Sequence, residues 1–252
     1  MSGRVVVVGL GPGAAEWMTP EATEAIATAS DVVGYAPYLD RLDLRGDQRA
    51  HPSDNRHELE RARLALKLAA EGRAVVVVSG GDPGVFAMAA AIFEAIEEAP
   101  EWLRLDIRVA PGVTAMQAAA ARLGAPLGHD FCAISLSDNL KPWAIVERRL
   151  RAAAEGDFVI ALYNPASRTR PARIGDAFAV LGEVKAPATP VAFARAVGRP
   201  DEALTLTTLA EANPSLADMS TLIVIGSSET RFIARNGARA WMVTPRAYGA
   251  RR

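Results

Sequence analysis

Three glycine-bearing turns carry the most suggestive chemistry in this sequence. They are Gly9-Leu10-Gly11-Pro12-Gly13-Ala14, Ser79-Gly80-Gly81-Asp82-Pro83-Gly84 and Pro111-Gly112-Val113-Thr114, each preceded by a short apolar run. Glycine lets backbone approach a ligand where a Cβ would block it. The first turn satisfies the loosened dinucleotide fingerprint, with alanine at the third glycine position. That fingerprint also needs a helix opening directly on the glycines, and an acid at the end of the second strand for the ribose. Neither is expected here. The helix start belongs at Thr19-Pro20-Glu21, with Thr19 as cap and Pro20 at the first position, and Pro12 removes one amide donor. Asp31 precedes Val32-Val33 instead of following them. A ligand without a pyrophosphate fits better: a flat adenosyl group can lie against the glycines, and Asp82 can accept from a ribose hydroxyl or an amino group.

Other reactive side chains are scattered. His51, His57, His129 and the single Cys132 show no metal-ligand spacing, so no metal is expected. One cysteine excludes a disulfide within the chain and fits a reducing compartment. His129-Asp130, in a glycine-bounded turn, and Asp138 are the candidates for moving a proton. Arg168, Arg170 and Arg173, beside Asn164 and Ser167, offer forked donors to a carboxylate, or form a solvated helix start. Tyr35 and Tyr38 could wall a flat ligand or pack in the core. The 28 basic and 29 acidic residues give a net charge of -1, too little to gather nucleic acid or an anionic membrane. No nucleic-acid or membrane partner is expected. The opening valine run is far too short for a signal or spanning segment, so the cytoplasm is the expected location.

These residues need elements to position them. Val5-Val6-Val7-Val8 reads as a strand buried on both faces as in a parallel sheet, and Ala74 to Val78 and Leu105 to Val109 repeat the design. Glu58 to Glu71 has helical spacing and stops at Gly72. Strands alternating with helices imply βαβ units. Beyond Leu123 the texture shifts to closely spaced strands near Phe131–Leu136, Phe158–Tyr163, Pro190–Ala194, Leu204–Thr208 and Leu222–Ile225, with helices over Trp143–Ala154 and Pro171–Leu181. The expected fold is α/β in two domains: residues 1–122 around a parallel sheet, and residues 123–252 around a mixed one.

Together, Gly9-Leu10-Gly11-Pro12-Gly13, Gly81-Asp82-Pro83 and Pro111-Gly112-Val113-Thr114-Ala115 resemble the tetrapyrrole methylases, S-adenosylmethionine-dependent enzymes of corrin and sirohaem synthesis. The resemblance spans nearly the whole chain. It implies a homodimer, a tetrapyrrole substrate and S-adenosylmethionine as methyl donor, held in a cleft between two α/β domains. Carried over, the cofactor positions are Gly11, Gly81, Asp82, Val85, Thr114 and Ala115, with Tyr163, Asn164, Ala194 and Thr221 from the second domain. Tyr35, Arg168 and Arg170 would meet the substrate. Gly34-Tyr35-Ala36-Pro37-Tyr38-Leu39, the run Gly128 to Asp138 and Tyr163-Asn164-Pro165-Ala166-Ser167-Arg168 are most similar to the branch that also contracts the macrocycle. Contraction adds proton transfer to methylation, and His129 and Asp138 are its candidates. Two other readings stay open: a nicotinamide dehydrogenase, resting on the first turn alone, and a nucleotide-sensing module without catalysis.

Overall fold

The computed structural model describes residues 3–166 and 173–249. The chain forms two compact units, Met1–Ala115 and Met116–Arg252.

In the first unit the elements run β1 (Arg4–Gly9), α1 (Pro20–Thr28), β2 (Asp31–Tyr35), α2 (Ala36–Leu39), β3 (Arg49–Ser53), α3 (Glu58–Ala70), β4 (Ala74–Ser79), α4 (Met88–Glu98) and β5 (Asp106–Ala110). The five strands form one sheet in the order β3-β2-β4-β1-β5, and every pairing is parallel. The valine runs explain this arrangement. Val5, Val7, Val75 and Val77 face α3 and α4, while Val6, Val8, Val76 and Val78 face α1 and α2. A strand buried on both sides belongs between helical layers, and each such valine contributes about 1.5–3 kcal/mol. Thr19 caps α1 by accepting from the Ala22 amide at 3.2 Å, with Pro20 in the first turn. α3 ends before Gly72, whose φ of +89° suits glycine.

Strand order decides where a ligand belongs. β1 and β4 are neighbours, yet the chain leaves β1 for α1 on one face and leaves β4 for α4 on the other. Adjacent strands whose connections diverge open a crevice at their carboxyl ends.

In the second unit, after α5 (Ala115–Leu123), come β6 (Gly124–Ala125), β7 (Phe131–Ser135), α6 (Trp143–Glu155), β8 (Val159–Tyr163), α7 (Arg173–Gly182), β9 (Pro190–Arg195), β10 (Ala203–Thr208), β11 (Thr221–Ile225), β12 (Arg231–Arg235) and β13 (Ala238–Val243). A mixed sheet has the order β10-β9-β11-β8-β7, with β7 and β8 parallel and the other pairs antiparallel. Leu150 on α6 and Ile174, Phe178 and Leu181 on α7 bury against Ile160, Leu162, Phe193 and Ile223. The parallel-then-mixed architecture matches the sequence expectation. A further sheet, β12-β13-β6, has no counterpart there. Among the described residues no helix is long and apolar enough to cross a membrane.

Candidate active site

The glycine turns all follow carboxyl ends of strands in the first sheet. Beyond the parallel strands, Gly11 and Gly81 bridge: the Gly11 amide donates to the Gly81 carbonyl at 3.2 Å, and the Gly81 amide to the Gly11 carbonyl at 3.0 Å. Both have φ near +66°, the left-handed region that glycine fills without strain. The third turn packs into the same place. A Cβ on Gly9 would lie 2.5 Å from the Gly81 carbonyl oxygen and 2.8 Å from the Gly112 Cα; one on Gly112 would lie 2.4 Å from that oxygen. Backbone therefore touches backbone across three strands.

Asp82 fastens this cluster. Its Oδ1 accepts from the Gly84 amide at 2.8 Å and its Oδ2 from the Gly112 amide at 3.0 Å, tying the second turn to the third. The Val85 amide donates to the Asp82 carbonyl. A Cβ on Gly81 would point toward Thr114 and Ala115 and meet nothing nearer than 3.8 Å. The structure thus gathers Gly11, Gly81, Asp82, Val85, Thr114 and Ala115 at the crevice between β1 and β4. Arg41, which the sequence did not single out, supports the first turn by donating to the carbonyls of Leu10 and Gly13. No motif marks it. Tyr35 ends β2 and stands edge-on to Tyr38, with centroids 5.3 Å apart. Tyr38 in turn covers Gly80, where a Cβ would lie 2.7 Å from its ring.

Geometry disposes of the dinucleotide fingerprint. α1 opens at Pro20, well past the glycines. Asp31 begins β2 and so lies at the opposite end of the sheet, buried, with His51 Nε2 at 2.8 Å and Arg73 Nη1 at 3.1 Å. Burial opposes its charge, but hydrogen bonds from His51, Ser30 and Arg73 outweigh it and hold the carboxyl below its ordinary range.

In the second unit, Tyr163, Asn164, Ala194 and Thr221 lie toward one end of the strands in the middle of the mixed sheet. Tyr163 ends β8, Asn164 follows it, and Thr221 opens the antiparallel β11, whose Leu222 pairs with Ala194. Asn164 holds a φ of +53° and donates through Nδ2 to Ser135 Oγ at 3.0 Å. The Tyr163 hydroxyl accepts from the Met116 amide at 3.0 Å. Thr221 donates to Asp218 Oδ1 at 2.8 Å, and Arg195 Nε donates to Asp218 Oδ2 at 2.8 Å.

The acid/base candidates part company. His129 precedes β7, with its Nδ1 accepting from the Asp130 amide and its ring edge-on to Tyr248 at 4.7 Å. The Tyr248 hydroxyl is pushed up to about 12, by burial first and then by Asp157, to which it donates at 2.7 Å. Asp138 follows β7, beyond the end that carries Ser135. Its Oδ2 accepts from Arg173 Nε at 2.8 Å, and that guanidinium also stacks on Trp143. The five-residue strand between them spans roughly 15 Å, so one proton cannot be shared by both. Cys132 sits on β7, where burial pushes its thiol up. Arg168, Arg170 and Ser167 lie outside the described residues.

Known proteins resemble this chain over nearly its whole length. Over residues 4–213 the chain matches the Tetrapyrrole (Corrin/Porphyrin) Methylases. It is 58% identical over 249 residues to the precorrin-3B C(17)-methyltransferase of Sinorhizobium sp, covering 98% of each chain. It is 41% identical over 243 residues to the probable cobalt-factor III C(17)-methyltransferase of Salmonella typhimurium, covering 96% of this chain and 98% of that one. The crystal structure of the methyltransferase CobJ superposes with a TM-score of 0.92 at 54% identity, covering 97% of this chain and 100% of that chain. With its glycine turns fused at the switch point and this likeness running end to end, the chain belongs to the tetrapyrrole (corrin/porphyrin) methylase family.

Proposed function

We infer that the protein is an S-adenosylmethionine-dependent C-methyltransferase of cobalamin biosynthesis that methylates carbon 17 of precorrin-3B, with contraction of the ring to precorrin-4. The fused backbone of Gly9, Gly11, Gly81 and Gly112 carries this reading. Gly9 and Gly112 are closed by neighbouring backbone, whereas the space off Gly81 has backbone of Val113, Thr114 and Ala115 only at ordinary contact distance, 3.8–3.9 Å from where a Cβ would lie. A flat adenosyl group fits such a cradle. When bound, S-adenosylmethionine supplies a methyl group carried on a sulfonium.

The chain's own work is then placement. In-line displacement needs the carbon nucleophile held at near-attack distance in a dry site, which requires no triad. With the Gly11 and Gly81 amides tied to each other, their carbonyls and the backbone of Thr114 would orient the cofactor, Val85 would pack against it, and Asp82 keeps the second and third turns together while its remaining lone pairs would accept from the ligand. Tyr163, Asn164, Ala194 and Thr221 are assigned to cofactor binding on the resemblance. For the substrate, Tyr35 supplies an aromatic wall, and Arg168 and Arg170 supply forked donors to its acetate and propionate groups. For contraction, we assign the proton to Asp138, which shares a strand end with Tyr163 and Asn164, as His129 does not. A cobalt-loaded substrate is the second reading, favoured by the 41% identity to the Salmonella relative; the higher identity to the precorrin-3B enzyme favours the metal-free one.

The test is the product. Incubation with S-adenosylmethionine and either precorrin-3B or its cobalt-loaded counterpart, read by mass and absorption spectrum, should give one added methyl group and a contracted ring from the metal-free compound. Methylation of the cobalt compound alone would reassign the substrate; methylation of neither would end the reading.

A further inference from the structure

On the first unit, β2, the end of β3 and the first turns of α3 border a solvent-open cavity of about 240 Å³, lined by Val33, Ser53, Asp54, Arg61 and Leu64, with His57 and Glu60. No sequence motif pointed to it. Arg61 is only 5% exposed. Its Nε donates to Ser53 Oγ at 2.8 Å, its Nη2 to the Asp54 carbonyl at 2.9 Å, and its Nη1 lies 3.2 Å from Met88 Sδ. A guanidinium has five N–H donors. These contacts use three, one of them on a weakly accepting thioether. Among the described residues, no carboxylate lies within ion-pair distance of Arg61. Glu60 pairs with His57 at the rim, both side chains being about half exposed or more.

A buried guanidinium with no carboxylate at ion-pair distance is costly, and burial pulls it below its ordinary range although the more distant Glu58 carboxylate opposes that. Whatever completes it should be anionic and planar, since the guanidinium fork matches a carboxylate in a bidentate pair. The cavity is smaller than the 300–1,000 Å³ or so that encloses a whole drug-sized ligand. It has room for a side arm. Val33 in its lining lies on β2 two residues before Tyr35, which stands edge-on to Tyr38 beside Gly80, so the cavity lies at the end of the sheet that carries the second glycine turn.

We propose that this cavity receives one carboxylate-bearing side arm of the tetrapyrrole, with Arg61 providing the charge and Ser53 holding the guanidinium in place. The inference rests on the tetrapyrrole reading above. The methionyl carboxylate of the cofactor offers the same chemistry, so the test must separate the two.

Steady-state turnover with precorrin-3B, calorimetry with S-adenosylmethionine and thermal melting are measured on the full chain as parent, Arg61→Gln and Leu64→Trp. Leu64 makes none of the Arg61 hydrogen bonds, and tryptophan there fills the cavity. Loss of one charge-assisted interaction predicts a KM for precorrin-3B raised about tenfold or more in each variant, with cofactor affinity at the parental value. Parental KM in Leu64→Trp would overturn the proposal, and if Arg61→Gln fails to fold, that variant decides alone. Weakened cofactor binding with unchanged KM would give the cavity to the methionyl carboxylate and equally overturn it. A parent that transfers no methyl group to precorrin-3B refutes the functional reading and this inference with it. A parent that turns over normally beside an unaffected Leu64→Trp refutes only the inference.

Discussion

Asp82 illustrates how one carboxylate can serve structure and ligand together. Each oxygen already accepts a backbone amide, one from its own turn and one from the third turn. Asp82→Ala should therefore weaken S-adenosylmethionine binding about tenfold or more and also lower stability by about 2 kcal/mol, since a hydrogen bond to a charged group contributes about 1.5–3 kcal/mol and this one is partly exposed. Calorimetry and urea unfolding of the same variant separate the two effects; parental affinity would remove Asp82 from the site. The proton-moving assignment is equally testable. Asp138→Asn should slow formation of contracted product by about 100-fold or more with cofactor affinity intact, whereas His129→Ala and Cys132→Ser stay within about tenfold. Product bearing the uncontracted ring, followed by mass and absorbance, is the readout. Contraction at the parental rate in Asp138→Asn would leave the proton to substrate groups or water. At this scale the sequence was informative for glycines and silent for Arg41 and Arg61. Spacing exposes a glycine's purpose, because only a turn or a close approach needs it. Arg41 acts through Leu10, 31 residues back, and Arg61 through a turn whose shape spacing does not reveal.

The elements tell the same story in another form. β1, β4, β8, β9 and β11 were legible because a strand buried on both faces must be almost entirely apolar. β3 was not, since Arg49-Ala50-His51-Pro52-Ser53 lies at a sheet edge, where polar residues and proline are tolerated. The β12–β13 hairpin carried a usable signal, Asn236-Gly237 between Arg235 and Ala238, though its arginines hide the alternation. The buried Asp31 cluster was illegible, because it joins β2 to His51 on β3 and to Arg73 beside β4. Its pH dependence follows from sign. A carboxyl held low in the folded chain adds stability above its ordinary value near 3.8, and loses it as pH falls through the depressed one. Asp31→Asn should cost about 2–4 kcal/mol near neutrality, less than a fully buried pair because Arg73 keeps Glu71 and solvent, and the deficit should shrink in strong acid. Urea midpoints at pH 7 and pH 3 would show it; an equal deficit at both would mean that charge is irrelevant there.

For the molecule as a whole, ligand binding should register as stability. If S-adenosylmethionine binds only the folded chain, a concentration 100 times its dissociation constant adds about 2.7 kcal/mol. Thermal melting across a cofactor titration should follow that logarithm, and Gly9→Ala, which drives a Cβ into the Gly81 carbonyl, should abolish the response. A homodimer, as the family resemblance implies, would scatter light as twice the 26.7 kDa chain; a steady monomer mass would reject it.

The parallel sheet also sets a timetable for the ribosome. β1 is its second strand from one edge and flanked on both sides, yet its partners come late: Arg4 pairs with Ala74 on one side and with Asp106 on the other. At about 5–20 residues per second, the second partner is translated roughly five to twenty seconds after the first strand. Until β4 is translated Val5-Val6-Val7-Val8 has no native neighbour, and until β5 follows it has only one; it is a short β-prone stretch without charge or proline, the kind that pairs with copies of itself. Nascent chains should thus be at their stickiest before Ser79 emerges. A charge such as Val6→Lys would quiet the growing chain but ruin the finished sheet, because Val6 is buried against α1 in the folded unit.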